Sequence, residues 1–226
     1  MATIIFDLDG TLVDTAPDLI DALNTILGRE GLPAIPHDKA RALIGHGARH
    51  MLERGLAVAG QHAGDIDRMF GEFIAYYSEH MADRSRPFPG VEAALDILAG
   101  RGCKFAVCTN KLEWLSVRLL KSLGLAGRFA AICGGDTFGV QKPHPGALLG
   151  ALRRAGGSLD RAVMVGDSQT DIATARAAQI PVVAVDFGYT EVPVNELGPD
   201  KIISHYNHLP DTIAVLLETR NNVGTA

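Results

Sequence analysis

Two aspartates, Asp7 and Asp9, follow directly on a short apolar run in the string Asp7-Leu8-Asp9-Gly10-Thr11. On a strand of period two, both carboxylates project to one side where the strand ends. Like charges that close repel, so either one pKa rises or a hard divalent cation such as Mg²⁺ sits between them. Taken alone, the string equally suits a solvated Asp-Gly turn. A second acidic string, Gly166-Asp167-Ser168-Gln169-Thr170-Asp171, closes another apolar run. Gly166 lets the backbone turn tightly just before Asp167. Ser168 and Asp171 have the spacing of a capping box, which is reason enough for an acidic residue at Asp171.

Two further strings complement these acids. Lys142 precedes Pro143, whose ring keeps the lysine out of a helix and lets its long side chain reach inward from a loop. A lone Lys-Pro also fits the protein surface. Thr109-Asn110 ends a third apolar run, placing a hydroxyl and free backbone N–H groups where an anion docks, although Asn110 also suits a plain helix cap.

The elements that must hold these groups follow from periodicity. Short β-type runs recur at Thr3–Phe6, Lys104–Cys108, Ala131–Cys133, 162–165, Val182–Val185 and Lys201–Ile203, several of them apolar throughout, as strands covered on both faces are. Between them lie helical patterns such as Leu112, Leu115, Leu119 and Leu123, with Gly100, Gly124 and Gly156 as expected stops. Alternating strand and helix predicts an α/β fold with a parallel sheet, whose ligands sit beyond the carboxyl ends of the strands. Residues 15–86 break the alternation. They show helical periodicity without a strand, from a Thr15/Asp18 capping box through Leu19, Ile20, Leu23, Ile26 and Leu27 to a later helix bearing Phe70, Phe73, Ile74, Tyr77 and Met81. This segment is expected to be a helical cap inserted after the first strand, leaving a discontinuous core of 1–14 and 87–226. The polar end, 221–226, is expected to fray.

Composition narrows the class. The 226 residues are 47% hydrophobic and 21% charged, the make-up of a globular chain with a sizeable core. With 26 acidic against 21 basic residues and no Lys/Arg cluster, nucleic acid is excluded as the expected partner. No stretch approaches the roughly 18 apolar residues of a membrane span. Cys103, Cys108 and Cys133 are odd in number and form no CxxC, so reduced thiols and a cytoplasmic location are expected. His205 and His208 lack a companion ligand set and read as surface or packing residues.

An acidic pair, a threonine, a lysine and another acidic residue thus occur in order at successive strand ends. In this the chain resembles the haloacid dehalogenase superfamily, whose four motifs are similar to Asp7 to Thr11, Thr109, Lys142, and Gly166-Asp167 with Asp171. The resemblance spans almost the whole chain. It implies a Rossmann-like core with a helical cap and a Mg²⁺-dependent phosphatase acting on a small phosphorylated metabolite. Asp7 would be the nucleophile and Asp9 the acid and base. Mg²⁺ would lie on Asp7, the Asp9 backbone carbonyl and Asp167; Thr109, Asn110 and Lys142 would hold phosphate; Asp171 would orient Lys142 or a metal-bound water. The second aspartate favours phosphate over halide chemistry.

Within the superfamily, Asp14 to Leu19 and Ile44-Gly45-His46-Gly47-Ala48-Arg49 resemble the phosphoglycolate phosphatases, with His46 and Arg49 as cap contacts to substrate. Phosphatases of sugar phosphates or pyrophosphate, a phosphomutase, and a non-catalytic phosphate-binding module are the alternatives. The sequence leaves monomer and homodimer open.

Overall fold

Apolar runs too short for helices and rich in Val and Ile form the sheet, and helices cover both of its faces. The computed structural model describes residues 1–60 and 65–223. In chain order the elements are β1 (Thr3–Phe6), β2 (Val13–Asp14), α1 (Ala16–Arg29), α2 (His37–Ala40), α3 (Ala48–Val58), α4 (Ile66–His80), β3 (Arg86–Pro87), α5 (Val91–Gly100), β4 (Lys104–Cys108), α6 (Glu113–Ser122), β5 (Ala131–Cys133), α7 (Pro145–Arg154), β6 (Ala162–Gly166), α8 (Gln169–Ala177), β7 (Val182–Val185), β8 (Lys201–Ile203) and α9 (Leu209–Val223).

Six strands form a parallel sheet in the order β5-β4-β1-β6-β7-β8, a Rossmann-like arrangement with β1 near the centre. Alternate strand residues feed two apolar layers. Ile4, Phe6, Val107, Val165 and Val183 pack with α5, α6 and α9 on one face; Ile5, Ala106, Met164 and Ala184 pack with α7 and α8 on the other. Register decides where the polar residues fall. Phe6 pairs with Val107 on one side and Val165 on the other, so Asp7, Thr109 and Asp167 emerge at nearly the same level of the sheet.

The segment between β2 and β3 is helical, with α1, α3 and α4 packed on one another around Leu23, Leu52, Phe73 and Tyr77. Three expectations are corrected here. The two-residue strands β2 and β3 pair antiparallel, Val13 with Pro87 and Asp14 with Arg86, and are too short to leave a periodic signal. Thr15 precedes α1 but makes no side-chain cap, and its Oγ1 is buried without a partner. Asp18 instead accepts from the N–H groups of Arg84 (3.1 Å) and Ser85 (2.8 Å) and from Ser85 Oγ (2.7 Å). The returning chain offers it more donors than its own helix start does. Gly100 ends α5 in ordinary helical backbone, and the left-handed turn falls at Gly102; Gly124 and Gly156 do turn left-handed. Of the segment expected to fray, 221–223 is helical as the end of α9, and 224–226 lies outside the described residues. Among the described residues the cysteines are free, and no helix is long and apolar enough to cross a membrane.

Asp18 thus staples the outgoing and returning chains of the helical segment. Asp18→Ala is expected to lower unfolding stability by about 2–4 kcal/mol by stranding the buried Ser85 donors. Urea denaturation that leaves the midpoint unchanged contradicts this role.

Candidate active site

Asp7 leaves β1 buried, its Oδ1 accepting from the Leu8 N–H (2.7 Å) and lying 2.9 Å from Lys142 Nζ. Lys142 stands in the loop before α7 and reaches inward as its position before proline suggested. The same ammonium donates to Asp171 Oδ1 at 2.6 Å. Asp171 both caps its helix and contacts Lys142. Its Oδ2 closes a capping box with Ser168 and also accepts from the Asp167 N–H, while its Oδ1 holds Lys142. Asp167 follows β6 and accepts from Thr11 Oγ1 (2.8 Å) and the Tyr189 N–H (2.7 Å). Gly10 makes this approach possible: its φ of +83° is left-handed, and a Cβ there would sit 2.5 Å from Asp167 Oδ2.

One carboxylate oxygen from each of Asp7, Asp167 and Asp171 lies within 4.8 Å of the others, and all three side chains are buried. Burial pushes Asp7 up to about 7, opposed by Lys142 and reinforced by Asp171. Burial pushes Asp167 up to about 8, with Asp171 and Asp7 adding repulsion. Burial alone would lower Lys142, but the neighbouring Asp171 and Asp7 carboxylates outweigh it and keep the ammonium charged. An all-oxygen, anionic and under-compensated notch of this size fits a hard divalent cation.

The carboxylate of Asp9 borders the same cavity as Asp7 and adds to the repulsion on it, but does not join that cluster. It turns instead to Lys111, whose Nζ lies 2.9 and 3.1 Å from its two oxygens. Lys111 is buried, with its ammonium 4.6 Å from the centre of the Tyr77 ring on α4. Thr109 is buried and its Oγ1 accepts from the Lys111 N–H. Asn110 is not the cap of α6, which starts after Leu112 with Asp136 accepting from the Glu113 N–H. Its amide donates to the carbonyls of Lys142 (3.0 Å) and Gly45 (3.3 Å), tying the strand-end loop to the helical segment. Gly47, at φ +89°, lets the same segment pass close above Asn110.

These groups border a cavity of about 280 Å³, with Asp7, Asp9, Thr109 and Lys111 below and His46, Arg49, Phe73 and Tyr77 above. His46 is held below its ordinary pKa by burial and by His50 and Arg54. Arg49 is committed to Asp67 (2.6 Å) and to the face of Phe70 (4.8 Å). His205 is half-buried and accepts from the Asn207 N–H, and His208 is exposed; neither approaches a metal cluster among the described residues. Three residues of the site went unnoticed in the sequence. Lys111 adjoins a recognised string, Thr11 lies within one, and Tyr189 carries no local signal at all.

Fold and site together define an α/β protein whose acidic groups gather at the carboxyl ends of central parallel strands beneath a helical roof. Residues 4–185 match the family described as haloacid dehalogenase-like hydrolase. The chain belongs to that family. It is 49% identical over 214 residues to a phosphoglycolate phosphatase of Mesorhizobium japonicum, covering 93% of this chain and 94% of the relative. It is 47% identical over 218 residues to a phosphoglycolate phosphatase of Caulobacter vibrioides, covering 96% and 92%. Among solved structures, a predicted phosphoglycolate phosphatase from Haemophilus somnus superposes with a TM-score of 0.87 at 29% identity, over 94% of this chain and 97% of that one.

The raised carboxyls set a pH dependence of stability. In the folded state Asp7 and Asp167 hold protons up to about 7 and about 8, whereas unfolded carboxyls release them near 3.8. The folded state therefore binds more protons in that window, so stability falls as pH rises through it. The melting temperature of metal-stripped protein is expected to decline from about pH 4 to about pH 8, with a shallower slope for Asp167→Asn. Equal slopes for the two proteins contradict the assignment.

Proposed function

We propose that this chain, a phosphoric monoester hydrolase, converts 2-phosphoglycolate to glycolate and phosphate through a phosphoryl group carried on Asp7. The observation that carries this reading is the buried Asp7-Lys142-Asp171 chain of contacts beside Asp167, an arrangement suited to receive a phosphoryl group and a cation together. The names of relatives matched over nine-tenths of the chain support the substrate.

Residues 1–14 and 87–226 form the core in this reading, and 15–86 the cap that shuts over the ester and excludes water during the first transfer. Asp7, Asp167 and the backbone carbonyl of Asp9 would hold Mg²⁺, which would supply charge neutralisation for the phosphoryl oxygens. Lys142 and the Thr109-Asn110 loop hold the remaining oxygens, and Asp171 positions Lys142. A carboxylate oxygen of Asp7 attacks phosphorus as the bond to the glycolate oxygen breaks, and Asp9 gives that oxygen its proton. Asp9, then ionised, takes a proton from water as the water oxygen attacks the phosphoaspartate, releasing phosphate and restoring Asp7. The free cysteines and the small acidic substrate suit a cytoplasmic location, with neither nucleic acid nor membrane as a partner.

Asp7→Asn preserves shape and removes the nucleophile, so phosphate release from 2-phosphoglycolate is expected to fall by about 1,000-fold or more with the fold intact. Wild-type-like turnover removes Asp7 from the reaction. Chelation is expected to stop hydrolysis and added Mg²⁺ to restore it. Faster release from a sugar phosphate or pyrophosphate than from 2-phosphoglycolate overturns the substrate, and activity that survives thorough metal removal overturns the cofactor.

A further inference from the structure

Lys111 is a buried cation for which the phosphoryl chemistry has no use. Its side chain is 5% exposed, yet it borders the cavity beside Asp9 and Thr109. Enclosure opposes an ammonium there, and an adjacent anion must offset the cost. Asp9 supplies that anion, held by both oxygens, and the Tyr77 ring face backs the ammonium from above. Asp9 must nevertheless turn to the leaving oxygen during the reaction, and Lys111 then needs another anion.

Other basic groups near the cavity face partners of their own, His50 among them, 4.0 Å from Glu53. Lys142 lies between Asp7 and Asp171, Arg49 pairs with Asp67, and His46 is disfavoured as a cation by its surroundings. A single residue, Leu8 just beyond β1, separates the nucleophile Asp7 from Asp9, the partner of Lys111. A compact ester seated on Asp7 brings whatever its leaving group carries to this ammonium.

We propose that Lys111 is the specificity-determining residue for the leaving group: its ammonium exchanges Asp9 for a carboxylate on the carbon next to the ester oxygen. The site thereby selects phosphate esters of small hydroxy acids, and the same exchange frees Asp9 to take up a proton from solvent and face the leaving oxygen. The inference rests on the phosphatase reading above.

The test compares kcat/KM for 2-phosphoglycolate with that for 2-phosphoglycolamide, which has the same shape without the carboxylate charge. Wild type is expected to favour the acid by about 30-fold or more, the size of a truncated buried charge contact. Lys111→Met is expected to bring that ratio close to unity, mainly through KM for the acid, and Lys111→Arg to restore part of it. A Lys111→Met that slows both esters equally assigns Lys111 a structural role and overturns the proposal, as does a wild-type ratio near unity. Circular dichroism checks folding. Should Lys111→Met not fold, inhibition of the wild type decides: glycolate must inhibit hydrolysis more strongly than glycolamide, and equal inhibition overturns the proposal. Absence of phosphate release from either ester by the wild type is a separate result, which sinks the phosphatase reading itself.

Discussion

Mutual repulsion among the buried carboxylates of Asp7, Asp167 and Asp171 is the constraint that the rest of the site answers. Packed within 4.8 Å of one another and away from water, they would shed their charge or push apart. Instead each is pinned. Lys142 bonds Asp7 to Asp171, the capping box engages the other oxygen of Asp171, and Thr11 with the Tyr189 N–H fixes Asp167. Two carboxyls still stand well above the usual range, because burial disfavours their charged forms and one ammonium cannot offset this for three acids. A divalent cation would displace those protons and let both carboxylates ionise, which suits this notch to a cation and a phosphoryl group together.

The sheet makes such crowding possible. Parallel pairing of β1 with both β4 and β6 in the same register brings three strand ends level, and each delivers one polar residue. The roof is joined to this floor by few but specific contacts. Asn110 bonds the Gly45 carbonyl, Lys111 lies against Tyr77, and Tyr189 links Asp167 to the start of α1 through its hydroxyl, which accepts from the Ala16 N–H and donates to Asp14. Position of the helical segment and geometry of the acidic notch are therefore mechanically connected through one loop after β7.

The sheet strands were legible because each carries a short apolar run with a polar string behind it, and β6 differs from expectation only by including Gly166. The acidic strings were legible because their neighbours in sequence announce a strand end, and Lys142 because Pro143 follows it. What could not be read depends on partners distant in the chain. Lys111 meets Asp9 across 102 residues, and nothing adjacent to it tells a buried cation from a surface one. Asp18 has the spacing of a cap but finds better donors 67 residues on, at Ser85. Asn110 likewise has the look of a helix cap and serves as a tie to the roof. Local pattern predicted where polar residues emerge; tertiary competition for their hydrogen bonds decided what they hold.

The most direct test of this electrostatic account is crystallographic. Crystals grown with Mn²⁺ in place of Mg²⁺, measured at the manganese absorption edge, should show a strong anomalous peak between the Asp7 and Asp167 carboxylates. No peak there, with manganese bound elsewhere on the molecule or not at all, contradicts the claim that these buried acids are gathered to hold a cation.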